Sequence, residues 1–153
     1  MSRVSMRLIS NLVWFAGLVA LDRISKSWMI KSSGCIFINQ FLSLELAFNR
    51  GIAWGIFHTA SNIGFILVTM LVATLIGILG WYAYQQIKQG RLAAEEILIL
   101  AGASSNLIDR LAFSGVVDFI ALHCGGYCFP IFNLADVYIV LGIVWVLFTR
   151  YEK

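Results

Sequence analysis

At 153 residues, with 60% hydrophobic and 12% charged side chains, the chain carries about half the charged share (about 25%) of a typical soluble domain. A mean hydropathy of +0.86 and a single proline exclude a two-domain soluble enzyme and a disordered tail. A net charge of +3, with cations scattered along the chain, argues against nucleic-acid binding.

Four membrane-spanning helices of about 20 residues each would use about 80 residues and leave about 70 for loops. The first predicted span, residues 8–30, is apolar but carries Asp22, Arg23 and Lys26 in its second half. Residues 36–38 and 44–48 are β-favouring, with apolar alternation at Leu44, Leu46 and Phe48. Residues 51–58 are glycine-punctuated and aromatic, and read as a short interfacial lid around Trp54. The second span, residues 63–84, is uncharged and ends in Trp81, Tyr82 and Tyr84, rings that suit a membrane–water interface. The third, residues 93–112, holds Asn106, Asp109 and Arg110 near its end. Residues 116–119 and 129–132 read as further strands, and the fourth span, residues 134–150, has Asp136 in its first turn. The expected fold is therefore an all-α integral membrane protein. It has four transmembrane helices, a small extracytoplasmic β-sheet and the short lid, in one domain over residues 1–153.

Positive residues set the orientation. Arg3, Arg7, Lys88, Arg91, Arg150 and Lys153 flank the spans on what an even number of crossings makes one side, so both termini are expected in the cytoplasm. Every interrupting polar residue then falls toward the extracytoplasmic end of its helix. Asp22 and Lys26, Asn106 and Arg110, and Asp136 share one membrane depth although they are far apart in sequence. A cleaved N-terminal signal fits less well, because Leu18 two positions before Ala20 spoils the small-residue pattern.

Ionisable residues inside spans mark functional sites by default. Asp22 and Lys26 are four apart and share a helix face, which suits either a structural ion pair or substrate contact. Asp118 lies among Val116, Val117 and Phe119, where poor solvation favours its neutral form. Asp136 follows Asn133 by three residues, a pattern that taken alone reads as helix capping. If the two carboxylates meet, they cannot both ionise easily. One then keeps a proton while the other activates water, which hydrolyses amides without a metal or a nucleophilic side chain. Asn106 and Arg110 share a face and can polarise groups around such a pair, with adjacent Asp109 as a structural partner for Arg110. Asn49 and Gly51 can serve likewise from the loop.

Other chemistries are poorly supplied. His58 and His123 have no second ligand at zinc spacing, and no local motif sets either beside a serine and an acid. Cys35, Cys124 and Cys128 fall in the outer loops. The Cys124-Gly-Gly-Tyr-Cys128 spacing suits a short loop disulfide or free thiols, not a CxxC redox motif.

Four blocks, in order, carry a resemblance over nearly the whole chain. They are Asp22-Arg23-Ile24-Ser25-Lys26, Asn49-Arg50-Gly51-Ile52-Ala53-Trp54, Asn106-Leu107-Ile108-Asp109-Arg110 with Gly115-Val116-Val117-Asp118-Phe119, and Phe132-Asn133-Leu134-Ala135-Asp136. Together they resemble the lipoprotein signal peptidases, the signal peptidase II family of bacterial aspartic membrane proteases. The resemblance implies that Asp118 and Asp136 are the catalytic dyad. It also implies that Asp22, Lys26, Asn49, Gly51, Asn106, Arg110 and Asn133 order the site or bind substrate. The implied substrate is a prolipoprotein whose cysteine already carries diacylglycerol, cut just before that cysteine. The implied location is the bacterial inner membrane, with the site at its outer face. No metal or other cofactor is called for, and a monomer suffices because one copy holds both aspartates. The stretch Ala101-Gly102-Ala103-Ser104-Ser105 has fewer glycines than the family usually shows, which implies looser helix packing there. The alternative from another class is a small proton-coupled transporter, against which the charges cluster at one depth instead of tracing a path across the bilayer.

Overall fold

The computed structural model describes residues 3–32, 34–51 and 62–151. Its elements, in chain order, are α1 (Arg3–Lys31), β1 (Cys35–Asn39), β2 (Leu42–Asn49), α2 (Asn62–Lys88), α3 (Ala94–Phe113), β3 (Val116–Cys124), β4 (Tyr127–Cys128) and α4 (Leu134–Tyr151). Each apolar segment of the sequence becomes one of the four helices. The lid candidate Trp54 lies outside the described residues.

Among the described residues, Val4–Lys31 and Asn62–Lys88 are helices long and apolar enough to cross a membrane, and Leu134–Thr149 is a shorter apolar helix. Their surfaces are oily: Leu12, Trp14, Leu67, Met70, Ile78, Leu147 and Phe148 are each at least 62% exposed. Polar side chains occupy the inside instead. Asp22, Lys26, Ser105, Asp109 and Asn133 are fully buried. This inversion of the soluble pattern follows from an apolar surrounding solvent, in which burial of polar groups, paired with one another, is the favourable arrangement.

α3 packs against each of the other three helices. At one end, Ile97 and Leu100 of α3, with Ala93 just before it, form an apolar core with Ala83 and Ile87 of α2 and Leu8, Phe15 and Leu18 of α1. Over residues 95–102, α3 also meets α4 backbone to backbone. A Cβ on Gly102 would overlap the Ala135 carbonyl oxygen, and one on Gly142 would come within 2.6 Å of Ile99 Cγ1. The looser packing expected around residues 101–105 is therefore not found. The single Gly102 sits at the point of closest approach, and small neighbours do not need to be glycine.

The four strands form one antiparallel sheet in the order β1-β2-β3-β4, with Cys35 opposite Glu45, Ser43 opposite Ala121, and Asn49 opposite Val116. Irregularities at Phe37/Asn39 and Leu44/Ala47 bend the β1–β2 and β2–β3 pairings. The strand expected at 129–132 is displaced to Tyr127–Cys128; beyond it, Phe129 donates its N–H to the Leu122 carbonyl oxygen at 2.8 Å and Phe132 forms a bridge to Ile120. Gly125 and Gly126, at φ 56° and 86°, close a two-residue hairpin that brings 127–128 back onto 123–124, while Pro130 has no N–H to offer a ladder. In this register His123 faces Cys128 and Cys124 faces Tyr127. Neighbouring strand residues alternate sides, so Cys124 and Cys128 lie on opposite faces of the hairpin. All three cysteines are free and exposed, and the loop-disulfide alternative is not realised.

Candidate active site

The site is assembled where the start of α4, the end of α3, the second half of α1 and the paired ends of β2 and β3 converge. The first turn of α4 is closed by its own sequence. Asn133 Oδ1 accepts the Asp136 N–H at 2.9 Å, and Asp136 Oδ2 accepts the Asn133 N–H at 3.2 Å. This is a reciprocal capping box, so the capping expectation for Asn133 and Asp136 is met. A third N–H, that of Ala135, donates to Asp22 Oδ1 of α1 at 2.9 Å. A carboxylate from another helix thus satisfies a donor the α4 terminus would otherwise leave without an intrahelical partner.

Around this turn, neutral amides hold Asp118 and Asp136. Asp118 receives Asn133 Nδ2 on Oδ1 at 2.6 Å and Asn49 Nδ2 on Oδ2 at 3.0 Å. Asp136 receives Asn106 Nδ2 on Oδ1 at 2.8 Å. Asn133 Nδ2 also reaches Asn106 Oδ1 at 3.2 Å, so the two aspartates hang from one connected pair of asparagines. Burial, and next the charge of Asp136, push the Asp118 carboxyl from 3.8 up to about 7, against the opposing hydrogen bonds from Asn49 and Asn133 and the charge of Lys26.

Behind the amides lies a layer of paired charges. Lys26 Nζ is 2.7 Å from both Asp22 Oδ2 and Asp109 Oδ2, and donates to Asn106 Oδ1 at 2.9 Å. Asp109 also pairs with Arg23 and accepts the Val117 N–H at 3.1 Å, which ties the start of β3 to α3. Two cations and two anions balance, as burial requires. Asp109 was expected to pair with Arg110. Adjacent helix residues point about 100° apart, however, and Asp109 instead shares the face of Ser105, four residues earlier.

Arg110 donates to the Gly51 carbonyl oxygen, and Gly51 N–H donates to Asn49 Oδ1 at 2.8 Å. Arg110 and Arg50 both lie over the Phe65 ring, at 5.5 and 5.2 Å from its centroid. Arg110 thereby fixes the end of β2, which carries Asn49. The structure thus brings together Asp22, Lys26, Asn49, Gly51, Asn106, Arg110, Asp118, Asn133 and Asp136. Sequence reasoning passed over three more: Arg23, Ser105 and Asp109, the last considered only as an ion partner. The i, i+4 spacing of Ser105 and Asp109 was the available signal.

No local motif sets a histidine beside a serine and an acid, but the pairing of β2 with β3 does. His123 Nε2 lies 2.7 Å from Ser43 Oγ, and Ser43 Oγ donates to Glu45 Oε1 at 2.5 Å, so a serine and an acid do stand beside it. The acid contacts the hydroxyl and lies 3.7 Å from the same ring nitrogen, so it cannot orient the ring through the other one, and Ser43 is buried. Among the described residues, no group of three or more His, Cys, Asp or Glu is placed to hold a metal ion.

The family model described as signal peptidase (SPase) II matches residues 14–151. A lipoprotein signal peptidase of Anaplasma phagocytophilum (strain HZ) is 40% identical over 131 residues, covering 82% of this chain and 81% of that protein. Another, of Thermodesulfovibrio yellowstonii, is 33% identical over 153 residues, covering 98% and 100%. A solved structure described as a bacterial membrane enzyme, obtained by the in meso method at 2.3 Å, superposes with a TM-score of 0.75 at 26% identity, covering 94% of this chain and 88% of that one. A second such structure, at 1.9 Å, gives 0.73 at 27% identity, covering 94% of each.

Proposed function

The chain belongs to the signal peptidase II family, and from that premise we propose that it is an aspartic endopeptidase acting on diacylglyceryl-modified prolipoproteins. It cleaves the peptide bond just before the lipidated cysteine, with Asp118 and Asp136 as the dyad. One observation carries this reading: a buried Asp118 carboxylate and a half-buried Asp136 carboxylate from different elements, bound by neutral amides and joined through Asn106 and Asn133.

The chemistry follows from sharing one proton. The ionised aspartate takes a proton from water as that water attacks the scissile carbonyl carbon. The protonated aspartate donates a hydrogen bond to the carbonyl oxygen as it becomes an oxyanion. Collapse breaks the C–N bond, the nitrogen leaves with a proton returned from the dyad, and the pair regains its starting charge. The roles belong to the pair, and the raised Asp118 carboxyl lets the dyad keep one shared proton near neutrality. Asn49, Asn106 and Asn133 hold the carboxylates, Arg110 and Gly51 fix the end of β2, and Asp22 and Lys26 order the α4 terminus.

In the same reading the four helices span the bacterial inner membrane, with both termini cytoplasmic and the sheet at the outer face. The substrate's acyl chains lie against the exposed apolar helix surfaces, and its scissile bond enters at the helix ends, where water arrives. The test is cleavage of a diacylglyceryl-modified prolipoprotein in detergent by wild type, Asp118→Asn and Asp136→Asn, each checked for folding. Wild type should cut before the lipidated cysteine, and each folded variant should lose at least about 10³-fold. A folded variant that cuts as wild type does would dismiss the dyad.

A further inference from the structure

Ser105 has no part in the machinery proposed above, yet its side chain is fully buried and commits its hydroxyl across two helices. A serine inside a helix commonly bonds back to a carbonyl one turn earlier. Ser105 instead donates to Asp22 Oδ2 of α1 at 2.6 Å. From Asp22, two routes lead to Asp136. Asp22 Oδ1 receives the Ala135 N–H, the residue directly before Asp136. Asp22 Oδ2 also shares Lys26 Nζ, which bonds Asn106 Oδ1, and the other end of that amide donates to Asp136 Oδ1.

We propose that Ser105 is a positioning residue for Asp136, holding Asp22 in the orientation that caps α4 and shares Lys26 with Asn106. The proposal rests on the dyad reading. Its physical core is a competition for one ammonium group. Lys26 Nζ divides its donors among Asp22, Asp109 and Asn106. With the serine hydroxyl gone, Asp22 Oδ2 draws harder on Lys26, and Asn106 Oδ1 loses a charged donor. That donor helps decide which end of the Asn106 amide faces Asp136. An amide rotated by half a turn would set its oxygen against the carboxylate, a repulsive contact in place of a hydrogen bond. Movement of Asp22 also releases the Ala135 N–H and loosens the turn that carries Asp136.

The test uses the full-length protein in detergent with the diacylglyceryl-modified prolipoprotein, comparing wild type, Ser105→Ala, Asp22→Asn and the double variant. Ser105→Ala should fold, keep KM within about twofold and lose about 10-fold in kcat, because misplacement of a reacting group acts on the chemical step. In the Asp22→Asn background the same substitution should cost nothing further, because both act through one carboxylate. Amide exchange supplies a readout free of activity: Ala135 and Asp136 should exchange about 10-fold faster in Ser105→Ala. Unchanged kcat and exchange in folded Ser105→Ala would overturn the proposal. So would a raised KM at constant kcat, or losses that multiply independently in the double variant. If wild type itself cuts nothing, the dyad reading falls, and the exchange result alone decides whether Ser105 sets the α4 terminus.

Discussion

Four aspartates meet at one end of the molecule, and their neighbours divide them. Asp22 and Asp109 each contact Lys26, and Asp109 also contacts Arg23. Asp118 and Asp136 contact the amides of Asn49, Asn106 and Asn133 and no cation within ion-pair distance among the described residues. A carboxylate against an ammonium group has its charge balanced and is held in place. A carboxylate against a neutral amide is fixed in place only, and its proton stays negotiable when burial opposes ionisation. The first pair therefore works as a frame that joins α1, α3, β3 and α4. The second pair has the property that acid–base chemistry needs. Lys26 stands at the border, touching the frame directly and the amides through Asn106.

The largest break in this contrast comes from the frame. Lys26→Met removes a cation from between two buried carboxylates, leaving Asp22 without its ion partner and Asp109 with Arg23 alone. Losing one partner of a buried pair costs about 3–5 kcal/mol, so thermal unfolding in detergent should move down well beyond any amide substitution. A midpoint within a degree or so of wild type would show that the frame does not support the fold. The next effect is on pH. The Asp118 carboxyl is raised from 3.8 to about 7, so the folded state holds a proton that the unfolded chain has lost over that window. The stability this contributes is complete below about 3.8 and is lost as pH rises through about 7. Asp118→Asn should flatten the stability profile there. In the active protein, the one-proton dyad should lose its proton over the same range, so cleavage should fall as pH rises past about 7. A rate that keeps climbing through that range would remove the protonated partner from the mechanism.

Much of this arrangement was readable from the chain because a polar residue in an apolar helix has few physical excuses. Asp22, Lys26, Asn106, Arg110 and Asp136 stood out against their surroundings, and the side of the membrane assigned by flanking cations lined them up. The four helices followed from one uninterrupted apolar run and three apolar runs broken by those few polar residues. What escaped depended on which way a side chain points. Asp109 was read beside Arg110 because they are adjacent, although helical rotation separates them and gives Asp109 to Lys26 and Arg23. Ser105 enters the sequence reading only as part of a glycine-poor stretch, since nothing local marks a serine that bonds to another helix. The strand near 127 was misplaced because Phe129-Pro130-Ile131-Phe132 carries the stronger β composition, while the Gly125-Gly126 turn decides the register. His123 beside Ser43 and Glu45 needs two strands in register, which no single segment encodes.

The smallest effect sharpens the amide layer itself. Asn49 Nδ2 donates to Asp118 Oδ2 at 3.0 Å, and that bond favours the charged carboxylate, opposing the upward push of burial. Asn49→Ala deletes the donor and leaves Asn133 and Lys26 as the remaining influences that favour ionisation. Asp118 should then hold its proton more tightly, and the fall in cleavage should move to higher pH by less than about one unit, the scale of a single hydrogen bond. Unfolding should change little, because Asn49 lies at a strand end and the frame is untouched. The direction of the shift carries the information. If the fall moves to lower pH instead, Asn49 must have been presenting its oxygen to a protonated Asp118. The amides would then stabilise the neutral acid, and the contrast between the two pairs of aspartates would rest on hydrogen-bond polarity instead of on the absence of a cation.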